Sequence, residues 1–155
     1  MANQSTIKNN GLESDTCTPP QLVAVGAVGG LMAGVVFGMM MNMLHMIGMV
    51  AMLVNSKSTA VGWAVHLIIS TAIGITFNVA FGNRLKRVTT GLVYGMAYGV
   101  FWWVLGPLIL MPAKLKMPLF HFNTATWQSL MGHVVFGMVL GALVVFIPKS
   151  MHNQK

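Results

Sequence analysis

Acid is what this sequence has least of. Of its 155 residues only two are Asp or Glu, and both, Glu13 and Asp15, lie before residue 20. The apolar region after them has no side-chain carboxylate. That excludes the Asp/Glu proton relays of many pumps and transporters, carboxylate-pair hydrolysis and a Ser-His-Asp triad. Charge of either sign is scarce, at 7% of residues against about 25% in soluble domains. A chain of this length, 55% hydrophobic, cannot cover its apolar surface with so few charges. A soluble globular enzyme, a disordered chain and a nucleic-acid-binding domain are thereby excluded, and no nucleic-acid partner is expected. The single cysteine, Cys17, cannot close an internal disulfide. Residues 1–20 hold no apolar run and no small-x-small site, so no cleavable signal peptide is expected. They read as a flexible polar tail that ends at Pro19 and Pro20.

Apolar length is abundant. Four stretches, 21–44, 59–82, 89–112 and 127–147, each reach the ~20 residues that cross a hydrocarbon core of ~30 Å. The expected fold is all-α: a polytopic membrane protein with four transmembrane helices arranged as two tandem helical hairpins, 21–82 and 89–147. A basic loop, 83–88, joins them, and residues 148–155 form a second tail. The lipid bilayer is the first partner. The first apolar run continues to Val54, so 45–56 reads either as a helix extension or as an apolar connector at the surface. With the amino terminus inside, the inner segments carry Lys8, Arg84, Lys86, Arg87, Lys149 and Lys155, and the outer ones Lys57, Lys114 and Lys116. Six against three places both termini in the cytoplasm of a multi-pass plasma-membrane protein.

The spans repeat. Gly26, Gly30, Gly34 and Gly38 recur every four residues in the first, as do Gly91, Gly95 and Gly99 in the third, at an offset of 65. In the second, Gly62, His66, Ser70, Gly74 and Asn78 share one stripe. In the fourth, Ser129, His133, Gly137 and Gly141 do the same, at an offset of 67. The pattern reads as a parallel internal duplication, related by an axis along the membrane normal. Lipid gives helices little hydrophobic reason to associate, so small residues at i, i+4 serve close backbone approach. The glycine seams of spans one and three are expected to pack on the small, polar stripes of spans two and four.

Two groups of residues carry chemistry. His66 and His133 sit at matching depths, ~10 Å below the outer ends of their helices at helical rise. Ionisable groups inside a membrane helix point to function, and imidazole titrates near pH ~6.5. The plainer reading of each is a neutral ring bonded to a neighbouring hydroxyl or carbonyl. Methionine is the second group: 15 residues, six of them in the run 39–49. Met41, His45 and Met49 would share one face of a continuous helix, and thioether with imidazole suits Cu(I). As plain packing, Met fills irregular gaps. Haem held between two histidines is a weaker possibility, with no CxxCH present. Trp63 and Trp127 open the outer ends of their spans, where aromatic belts sit. Trp102 and Trp103 lie deeper and are expected on the glycine seams. Pro107 and Pro112 are expected to end the third span, with 111–122 as the main outer loop.

The second half carries a Gly-rich helix (Gly91 to Gly99), then Pro118-Leu119-Phe120, then Trp127 to His133 opening the last helix. These elements resemble the YagU-like group of small bacterial inner-membrane proteins over residues 89–141, with Gly91, Pro118, Phe120, Gly132 and His133 matching. The resemblance implies a non-enzymatic protein of the bacterial inner membrane, involved in acid resistance. Together with the residues, it favours an accessory subunit or acid/stress-response component, homo-oligomeric or part of a larger membrane complex. The alternative is a small transporter or channel for protons or a soft metal ion such as Cu(I). No cofactor is required by either reading.

Overall fold

The computed structural model describes residues 17–152. The tail before Cys17 and the last three residues lie outside the described residues. All regular structure among them is helical: α1 (Pro19–Met43), α2 (Ile47–Met52), α3 (Thr59–Phe81), α4 (Val88–Leu105), α5 (Met111–Leu115) and α6 (Thr124–His152). Four spans, Pro19–Met43, Thr59–Arg84, Val88–Leu115 and Thr124–Ile147, are long and apolar enough to cross a membrane. The chain is a multi-pass membrane protein. At one end of the bundle, here the loop end, lie the connections 44–58 and 116–123. The other holds the first residues of α1 and the basic segment Arg84–Arg87.

Glycine sets the packing. A methyl placed on Gly26 would stand 2.7 Å from the Gly74 carbonyl oxygen, and one on Gly30 would stand 2.9 Å from the Gly74 Cα. Across the second hairpin, a methyl on Gly91 would stand 3.0 Å from the Gly141 carbonyl carbon, and one on Gly95 would press into the Gly137 carbonyl. In both hairpins backbone therefore lies against backbone. The pairings Gly26–Gly74 and Gly91–Gly141 keep the two offsets of the repeat. Asn78, buried on the same stripe, donates from Nδ2 to the Leu22 oxygen at 2.8 Å and pins α3 to α1.

The hairpins join through a second face of α1. Gly29, Ala33 and Phe37 follow one another every four residues and are buried. A methyl on Gly29 would be 3.3 Å from Leu140 on α6, and Gly132 has no side chain because the Phe37 ring fills that space. With one seam on α3 and one on α6, α1 is the central helix. Half of its most apolar window is enclosed, against 22% for the third span. α3 and α4 meet through side chains instead, with the Phe77 and Phe81 rings against Tyr98 and a 2.8 Å hydrogen bond between Thr76 Oγ1 and the Tyr98 hydroxyl.

Several boundaries differ from those read in the sequence. The first apolar run does not continue as one helix. His45 adopts φ 55°, in the left-handed region. The His45 N–H donates to Asn42 O and the Met46 N–H to Met41 O, which is the paired-bond pattern of a Schellman C-terminus. The chain then turns back as α2, whose Ile47, Val50 and Ala51 are buried. The Ile47 carbonyl fills the space beside Gly62 of α3. The third span does not stop at Pro107. A π-helical turn, Gly106–Leu110, carries it into α5, because proline's missing N–H breaks the i→i−4 ladder without forcing the helix to end. Pro112 likewise leaves the Leu108 carbonyl without its helical donor, and the Phe120 N–H supplies one at 3.2 Å. The span closes at Lys116, φ 56°, so 111–115 is helix and not loop. α6 begins at Thr124, where the Asn123 side chain accepts the Thr126 N–H at 3.0 Å, and runs past 147 to His152.

Candidate functional site

A cavity of about 510 Å³ lies at the loop end, between the hairpins. Its existence follows from the packing just described. The glycine seams hold α1 to α3 and α4 to α6, but α3 and α4 are held apart by side chains. The π turn adds a residue to the backbone where Gly106 and Pro107 line the opening. α1 and α2 contribute Phe37, Met41, Met46 and Met49; α6 contributes Thr126, Ser129 and His133. Among the described residues Lys114 is the one permanently charged residue lining it, and no carboxylate does.

His66 and His133 both line this cavity, one from each hairpin. His66 is buried and His133 half-buried. The Phe37 ring packs edge-on against both, at centroid distances of 5.3 Å to His66 and 4.8 Å to His133. Gly132 makes room for that ring. The two imidazoles are anchored through opposite nitrogens. His66 Nε2 lies 3.0 Å from the Gly34 carbonyl oxygen, and His133 Nδ1 lies 2.8 Å from the Ser129 carbonyl oxygen. A carbonyl accepts only, so each of these nitrogens carries the hydrogen. His66 is the Nε2–H tautomer and His133 the Nδ1–H tautomer.

The remaining nitrogens, His66 Nδ1 and His133 Nε2, each keep a free lone pair. Among the described residues neither has a hydrogen-bond partner. Among the described residues the one buried side-chain nitrogen or oxygen without a partner is Trp102 Nε1. The two imidazole nitrogens are therefore not sealed in protein, and both residues line the cavity.

The structure separates the three residues read as a soft-metal face. Met41 is buried and lines the cavity, as does half-buried Met49. His45 is exposed and does not line it, because the helix that would have aligned the three ends at Met43. Its role is the left-handed cap. Sequence reasoning missed Met46, Met111, Met117 and His121, which the turn-back of α2 and the extension of the third span bring to the cavity. It also missed Phe37, whose signal was the second four-residue stripe on α1, Gly29-Ala33-Phe37. Of the packing glycines, Gly26, Gly30, Gly34, Gly91, Gly95, Gly99, Gly137 and Gly141 lie on the two seams, whereas Gly38 accommodates the Trp63 ring. Trp63 is thus turned toward α1, while Trp127 is exposed and stacks on Trp103 at 6.2 Å. Trp103 donates from Nε1 to the Thr126 carbonyl at 3.1 Å rather than packing on a glycine seam.

Among the described residues no three His, Cys, Asp or Glu side chains cluster as a metal site. No protein-family model, curated protein or solved structure matches the chain.

Proposed function

We propose that this is a non-enzymatic protein of the bacterial plasma membrane, both termini cytoplasmic, that receives a small ligand from the outer side in its loop-end cavity. His66 and His133 are the groups that hold it. One observation carries the reading: two imidazoles from separate hairpins, each fixed by a backbone carbonyl and each with its other ring nitrogen unbonded, line one cavity. Such polar groups in a membrane helix are costly to keep and mark ligand or ion paths. The Ser70 and Ser129 hydroxyls beside them face ring nitrogens that already carry a hydrogen for a carbonyl, so neither imidazole is set to draw a proton from its serine, which supports a binding role over catalysis. The basic segment Arg84–Arg87 at the opposite end supports cytoplasmic placement of that end. The broad apolar faces of α3 and α4 suit lipid or further subunits.

A second reading, response to external acid, is favoured by the same two nitrogens, since each is free to take a proton. The resemblance of residues 89–141 to YagU-like proteins supports it too.

The test uses the single cysteine. In a Cys17→Ser background, Thr126→Cys places a thiol on the cavity wall. A membrane-impermeant thiol reagent added to intact cells is expected to label it, while Ala80→Cys near the basic end stays unlabelled until the membrane is opened. Labelling of residue 80 but not of 126 from outside would overturn both the orientation and the accessible cavity.

A further inference from the structure

We infer that the cavity's ligand is a soft monovalent metal ion of the Cu(I)/Ag(I) class, held by His66 Nδ1 and His133 Nε2 together with methionine thioethers. The inference rests on the cavity being the working site, as proposed above, and adds what enters it.

The nitrogens are already arranged as ligands. Metal-binding histidines almost always donate their other ring N–H to a carbonyl, carboxylate or water, which fixes the tautomer and turns the lone pair toward the metal. His66 and His133 each do so, through opposite nitrogens and from opposite hairpins. At the two imidazoles an anion is a poor fit, because the hydrogens it would need are committed to Gly34 and Ser129, and Lys114, the ammonium that lines the cavity, is exposed. Hard divalent ions are a poor fit as well. Ca²⁺ and Mg²⁺ require shells of oxygen ligands, and among the described residues no carboxylate lines the cavity.

The sulfur supply decides among the remaining metals. Met41, Met46 and Met49 line the cavity from the first hairpin and Met111 and Met117 from the second. Thioethers are soft, neutral donors that select Cu(I), and with neutral imidazole they fit an ion of single charge where no counter-anion exists. Structural zinc sites call for Cys, His or carboxylate ligands, and no three of these cluster among the described residues. Methionine as mere filler explains burial. It does not explain why five methionines from both hairpins line the same cavity as two imidazoles that backbone carbonyls hold with the other ring nitrogen unbonded.

The test uses the full chain with Cys17→Ser, which removes the competing thiol, purified in detergent. Ag(I) serves as a redox-inert probe, and Cu(I) is presented anaerobically against a chromogenic chelator. One ion per chain is expected. His66→Gln, His133→Gln and the volume-conserving pair Met41→Leu/Met49→Leu should each weaken binding at least about tenfold, the scale on which even outer-shell changes act on metal sites. His45→Gly, outside the cavity, should leave it unchanged, and Zn(II) should not compete. Each variant's melting point reports its folding. Should the histidine variants fail to fold, the Met→Leu pair, which keeps the apolar volume, decides the matter. Binding lost with His45→Gly and retained in the cavity variants would overturn the inference. So would labelling of Thr126→Cys from outside without any binding of Ag(I) or Cu(I), an outcome that leaves the cavity reading standing. Failure of the labelling itself would overturn both.

Discussion

Substituting Gly95 by alanine isolates what holds each hairpin together. The added methyl would overlap the Gly137 carbonyl oxygen, lying 2.8 Å from its carbon and 3.2 Å from the Gly141 Cα. Carbon atoms rest at ~3.5–4.0 Å, and opening a gap of 0.5–1 Å forfeits a quarter to a half of the dispersion well. The obstructing atoms are backbone, so no rotamer change relieves them and α4 must move off α6 along the seam. Overpacking of this kind costs about 1–3 kcal/mol, and alanine's better helix propensity returns about 1 kcal/mol. The net loss is therefore at most about 2 kcal/mol. Gly48→Ala is the matched control. It lies in α2 with nothing within 4 Å of the new methyl and should gain up to about 1 kcal/mol from propensity alone. The propensity gain is common to both, so the two variants should differ by the overpacking cost, about 1–3 kcal/mol, or on the order of 2–12 °C in melting temperature for a chain of this size. The assay is thermal unfolding of both in one detergent. If Gly95→Ala melts with or above Gly48→Ala, backbone contact across the seam is not what stabilises the hairpin.

Gly34→Leu, whose side chain would meet Ser70 Cβ, should unfold the bundle in the same assay, whereas half-buried Leu105→Ala should be tolerated. His45→Gly should raise the melting point, because a non-glycine residue in the left-handed region costs about 1 kcal/mol or more that glycine avoids. Asn78→Ala should lower stability by about 0.6 kcal/mol and at most about 1.7, the measured range for interhelical hydrogen bonds in a membrane bundle, readable by steric trapping or melting. Phe37→Ala should destabilise by about 3 kcal/mol or more. It should also change the ring-current shifts of both imidazoles in NMR spectra, and a shift in only one would mean that Phe37 does not pack between them.

The fold was legible because each span repeats a short rule: apolar length for crossing, and glycine every fourth residue for contact. The pairing of Gly26 with Gly74 and of Gly91 with Gly141 follows from that periodicity. The site was legible in its nitrogens and not in its sulfurs. His66 and His133 stood on the same stripes as the seam residues, so helical spacing placed them. His45 was misread because period-four spacing assumes a continuous helix, and nothing in a run of methionines announces a left-handed turn. A glycine at 45 would have announced it. The prolines misled in the opposite sense. Pro107 and Pro112 look like terminators, yet a π turn and the Phe120 N–H absorb their missing donors and keep the span going. Phe37 escaped notice because α1 uses two faces, and the glycine seam hides the second.

The account turns on two imidazoles of opposite tautomer sharing one cavity, and ¹⁵N NMR of histidine-labelled protein in lipid nanodiscs reads this directly. With resonances assigned through His66→Gln and His133→Gln, His66 is expected as the neutral Nε2–H form and His133 as the neutral Nδ1–H form, and added Ag(I) should move only His66 Nδ1 and His133 Nε2. Two histidines of the same tautomer, or Ag(I) shifts confined to His45 and His121, would contradict it.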